Sequence, residues 1–86
     1  MPTISEFFGI FIRMYFDDHG VPHFHAYYGE QSAIVDIETL RFREGVLQRR
    51  AQAMVLEWAE KHRGELLENW ELARIHQPLK KIAPLE

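Results

Sequence analysis

Hydrophobic residues in the first half of the chain recur at every second position, and in the second half at every third or fourth. Over 9–17, Ile10, Ile12, Met14 and Phe16 alternate with Phe11, Arg13, Tyr15 and Asp17, the period-two pattern of a strand. Alternation returns over 23–28 and again over 31–37. Between the first two runs lies Asp17-Asp18-His19-Gly20, which is turn chemistry: Asp bonds its own downstream backbone and Gly supplies positive φ. Pro22 fits the start of a strand, since it has no hydrogen to donate to a ladder. Gly29-Glu30 suits a two-residue hairpin turn.

That hairpin fixes a register. Tyr28 faces Gln31, Ala26 faces Ala33, Phe24 faces Val35 and His23 faces Asp36. One face then carries Phe24, Ala26, Ala33, Val35 and Ile37, and Ile12 and Met14 join it when Met14 lies opposite Phe24. Residues i and i+2 of a strand share a face, so the opposite face gathers Arg13, Tyr15, His23, His25 and Asp36, with Phe11 and Tyr27 beside them. A short fourth strand is expected near 40–43. No element is assigned to 2–8.

From Leu47 the period becomes helical: Leu47, Ala51, Met54, Val55, Trp58, His62, Leu66, Trp70 and Ala73 trace one stripe. An unbroken helix of that length would run about 43 Å, beyond the ~30 Å span of a small domain. Two helical segments are therefore expected, 47–62 and 65–75, bent or broken near Gly64. The stripe predicts that the helices cover the apolar sheet face. The fold class is α+β, an antiparallel sheet of three to four strands under a C-terminal helical segment. The expected organisation is a single domain over 1–86, with 77–86 an extended tail lying on its own domain or along a partner's sheet edge.

Composition adds exclusions. The net charge is −3 with no cysteine, which argues against a dedicated nucleic-acid binder, a disulfide framework and a thiolate metal site. Basic residues still cluster locally, at Arg41, Arg43, Arg49 and Arg50 and at Arg74, Lys80 and Lys81. The opening residues lack a basic n-region, and no apolar run approaches a membrane span. A cytoplasmic location without membrane association is the expectation.

The histidine pair is the candidate for chemistry. As catalysts, His23 and His25 would move protons, with Asp36 orienting one imidazole, Arg13 stabilising phosphate charge and Tyr15 flanking them. As ligands, His23 and His25 would share a divalent ion, zinc or nickel, with His19 or Asp36 completing the set. As structural residues they would bond across strands or lie in an interface with protein, RNA or DNA. Asn69 and Glu68 beside Trp70 read as solvated neighbours of a core tryptophan, His62 as a packed histidine and His76 as a helix-end residue.

The runs MPTISEFFGIFIRMYFDD, HGVPHFHAYYGE, the stretch from Leu47 through ELLENWELA, and PLKKIAPLE resemble the bacterial domain of unknown function family 4160. The resemblance implies a small stand-alone prokaryotic protein of a kind often encoded beside a second small protein, of family 2442. Such a pair has the organisation of a toxin–antitoxin module, and an RNA-cleaving activity would suit its toxin. The resemblance assigns no catalytic residue, and it leaves the toxin or antitoxin role and any homo-oligomer open.

Overall fold

Alternation in the first half is realised as a five-stranded antiparallel meander, one strand more than the three to four expected. The computed structural model describes residues 3–16 and 18–86. Its strands are β1 (Thr3–Phe7), β2 (Ile10–Arg13), β3 (His23–Tyr28), β4 (Gln31–Asp36) and β5 (Phe42–Gly45), each paired with its neighbours in sequence. Two helices follow, α1 (Arg49–Lys61) and α2 (Arg63–Arg74).

The central register is the one the hairpin turn dictates. Tyr28 pairs with Gln31, Ala26 with Ala33, Phe24 with Val35 and His23 with Asp36. Ile12 pairs with Ala26 and Arg13 with His25, which continues to Met14 opposite Phe24. Ile10, Ile12, Met14, Phe24, Ala26, Val35 and Ile37 are all fully buried. They meet Leu47, Ala51, Val55, Trp58 and Leu66 in one core. Trp58 is its largest buried side chain, with the Phe7 and Phe24 rings 5.4 and 5.9 Å away. Burying one such aromatic is worth several kcal/mol.

The added strand is β1, and a bulge explains why its alternation is hard to read. The register with β2 shifts between Thr3 and Ser5, so the consecutive residues Ile4 and Ser5 are both buried. The strand expected over 9–17 ends at Arg13, where its ladder with β1 reaches Thr3. Asp17 lies outside the described residues. The last strand begins at Phe42 rather than at residue 40. Leu40 takes φ 57° and donates its N–H to the Asp36 carbonyl at 2.9 Å, so it belongs to the turn while its side chain packs on the core.

The helical stretch breaks at His62, two residues before Gly64. His62 has φ −120° and ψ 23°, and its Nδ1 bonds the Glu65 carboxylate at 2.5 Å. Gly64 sits in the first turn of α2. The break keeps the molecule within 34 Å along its longest axis.

The tail lies extended against its own domain. Ile82 is buried and donates its N–H to the Ile4 carbonyl at 2.8 Å. Trp58 Nε1 donates to the Ala83 carbonyl, also at 2.8 Å. Asn69 is a correction to the solvated reading: it is 1% exposed. Its amide donates to the Lys80 carbonyl at 2.8 Å and its oxygen accepts the Lys80 N–H at 2.9 Å. Asn69→Ala is expected to cost ~1–3 kcal/mol in urea unfolding, because a backbone donor and acceptor lose buried partners. It should also speed hydrogen exchange at the Ile82 amide without changing the β3–β4 amides, and equal protection of Ile82 would refute the clamp.

Candidate functional site

The face of β3 turned away from the core presents His23, His25 and Tyr27 in a row. β2 sets Arg13 directly opposite His25, and the chain beyond β2 adds Tyr15 and Asp18. The Asp18 carboxylate folds back onto both histidines. One oxygen, Oδ2, lies 3.1 Å from His23 Nε2 and 3.0 Å from His25 Nε2. The two imidazole rings stand 5.4 Å apart.

The histidines differ in their surroundings. His23 is 4% exposed and packs on the Trp70 ring at 4.9 Å, where α2 meets the start of β3. Its Nδ1 faces the Val21 carbonyl at 2.9 Å. A carbonyl only accepts, so this nitrogen carries hydrogen. Both nitrogens of His23 are thereby engaged. His25 is only partly buried, and its Nδ1 has no hydrogen-bond partner among the described residues. Tyr15 meets the His25 ring edge-on at 4.7 Å.

Tyr15 and Tyr27 share a hydroxyl–hydroxyl bond of 2.6 Å. Burial, then this bond and the electrostatic effect of Tyr15, with a smaller push from Asp18, raise the Tyr27 phenol to about 12, against the pull of Arg13. The Arg13 guanidinium lies over the rings of Tyr27 and Phe11, 5.2 and 5.7 Å from their centroids. Thr3 Oγ1 accepts its Nε–H at 3.1 Å. Beside these groups is a shallow cavity of about 130 Å³, lined by His25, Tyr27, Ser32, Ile34, Glu44 and Gly45. Gly45, at φ +79°, has no room for a Cβ against the Ser32 carbonyl, so β5 approaches β4 closely at the cavity wall. A larger cavity of about 430 Å³ lies elsewhere, among Lys61, His62 and the tail. Its one histidine bonds the half-exposed Glu65.

The sequence expectation of a clustered face thus brings together Arg13, Tyr15, His23 and His25. Asp36 faces His23 in the register, but its carboxylate forms an ion pair with Arg43. The carboxylate on the imidazoles is Asp18, whose place in the sequence marks it only as a turn residue. The same geometry changes the expected ligand set: Asp18 joins His23 and His25 within 4.8 Å, and exposed His19 does not. A carboxylate in the turn leading into the two histidines was the available signal. Its reach depends on how the 14–22 segment folds back, which periodicity does not specify.

A five-stranded meander packed under two helices, with a histidine–carboxylate cluster at its open face, defines a small α+β domain. The chain belongs to the domain of unknown function family DUF4160, whose model matches residues 9–71. That span includes Arg13, Tyr15, Asp18, His23, His25 and Tyr27, and leaves out β1 and the tail that bonds to it. No curated protein and no solved structure matches the chain. No helix among the described residues is long and apolar enough to cross a membrane.

The tyrosine pair has a stability signature. Unfolded, Tyr27 ionises near 10, but in the fold it stays protonated to about 12. The unfolded state therefore loses its proton first, and this contribution to stability falls as pH rises from 10 towards 12. Denaturant titrations of metal-free protein should show that slope, and Tyr27→Phe should flatten it. An unchanged slope in Tyr27→Phe would assign the alkaline loss to other groups.

Proposed function

We propose that this face cleaves RNA, with His25 as general base, and that the protein acts with a small partner protein as one half of a toxin–antitoxin-like pair. The observation that carries the chemistry is the Asp18–His25 hydrogen bond beside the cavity. A carboxylate accepting hydrogen from Nε2 leaves a neutral imidazole with its lone pair on Nδ1. That is the nitrogen without a partner among the described residues. The arrangement is a base held by an orienting group.

RNA suits such a base because it carries its own nucleophile. His25 takes the proton of a ribose 2′-hydroxyl, and O2′ attacks the adjacent phosphorus. The bond to the 5′ oxygen breaks, leaving a 2′,3′-cyclic phosphate. Tyr27, protonated at neutral pH, supplies hydrogen to the leaving oxygen. Arg13 offsets the charge that develops on the phosphate. His23 is a positioning residue: enclosed by Trp70 and fixed by the Val21 carbonyl, it holds Asp18 in place when its Nε2 also carries hydrogen. The partner protein and the pairing rest on the family resemblance.

His25→Gln should lower the cleavage rate of a single-stranded RNA by about 10²–10⁴-fold, with the circular dichroism spectrum preserved. Asp18→Asn should lower it less, because the imidazole remains but loses its orientation. Induction of the wild type alone should arrest bacterial growth, and induction of an equally abundant His25→Gln variant should not. Undiminished cleavage by folded His25→Gln would remove the base role.

A further inference from the structure

We infer that Asp18, His23 and His25 form a binding site for a transition-metal dication such as zinc or nickel, and that the ion silences the base role of His25. The binding half of this inference stands without the catalytic reading; the silencing half rests on it. Its starting point is a conflict of lone pairs. The Val21 carbonyl fixes hydrogen on Nδ1 of His23, so the neutral ring turns its Nε2 lone pair towards Asp18 Oδ2, 3.1 Å away. Two lone pairs in that arrangement repel. A cation between them relieves the repulsion, either a proton on Nε2 or a metal ion bound to both atoms.

The surroundings favour the metal ion as a second occupant. A backbone carbonyl on the distal nitrogen is the usual device that fixes a ligating histidine's tautomer and ring orientation. Two neutral imidazoles and one carboxylate are donors that zinc and nickel accept. At metal–ligand distances of ~2.0–2.1 Å, tetrahedral donors lie ~3.3 Å apart, close to the 3.0 and 3.1 Å that separate Asp18 Oδ2 from the imidazole nitrogens. All three donor atoms lie within 4.8 Å of one another. Closing the remaining gap falls to His25, whose side chain is 18% exposed, since His23 is held by Val21 and Trp70. Three protein ligands leave at least one coordination position to water.

Occupancy has a direct effect on the proposed chemistry. An ion on Nε2 of His25 replaces the hydrogen that this nitrogen shares with Asp18. The remaining hydrogen of the ring then resides on Nδ1, and the base is lost. Zinc should therefore suppress RNA cleavage, and a chelator should restore it.

The test is calorimetric titration of zinc chloride into the full chain, free of any polyhistidine tag and stripped with a chelator. One ion per chain is expected. Asp18→Asn and His25→Gln should each weaken binding at least tenfold, while His19→Gln should leave it unchanged. His25→Gln keeps the test open should a change at His23 disturb packing against Trp70, and circular dichroism confirms that each variant is folded. Absence of saturable uptake, or uptake that Asp18→Asn and His25→Gln leave untouched, would overturn the site. Zinc uptake by a protein that cleaves no RNA when metal-free would uphold the site while overturning the catalytic reading. Cleavage that persists with the site filled would overturn the silencing role.

Discussion

Everything at the open face depends on the register of β3. Its side chains alternate between a core that admits Phe24 and Ala26 and a face that carries His23, His25 and Tyr27. A shift by one residue would exchange the two sets and drive imidazoles against Trp58. The hairpin of β3 with β4 and the ladder with β2 hold that register from both sides. The burial of Phe24 and its neighbours is thus what orients the histidines, although those apolar side chains lie on the other face of the sheet.

Within the cluster, one carboxylate oxygen serves two rings. Each imidazole limits where the other's partner can sit, so changes at Asp18, His23 and His25 are expected to be strongly non-additive. The division of labour follows from position along the strand. His23, at the first residue of β3, lies under Trp70 and is enclosed. His25, two residues on, lies beyond that cover and lines the cavity. The same residue type at a covered and an uncovered point of one row acquires a fixed and an accessible member.

The parts of this architecture legible in the sequence are those governed by strict periodicity. Alternation through 23–37 gave strand, register and the shared histidine face, and the stripe from Leu47 to Ala73 gave helices on the apolar side. β1 was hidden because its bulge turns Ile4 and Ser5 inward together, which breaks the alternation. The helix divides at His62, whose side chain bonds Glu65, while Gly64, the weaker helix former, is accommodated in an exposed first turn. Asp18 and Asn69 escaped because their partners are set by loop and tail paths. Each makes contacts to groups five to eleven residues away that no repeat in the chain marks.

The tail that crosses from α2 to β1 introduces a contrast in folding kinetics. All four strand pairings join neighbours in sequence, so the meander has low contact order and requires no large loop to close before it gains cohesion. The Ile82–Ile4 bond instead encloses nearly the whole described chain. Its closure entropy grows only logarithmically with that length, but it is favourable only once both α2 and β1 are in place. The sheet and its histidine row can therefore assemble before the tail docks, and the tail acts as a late latch on a site already formed.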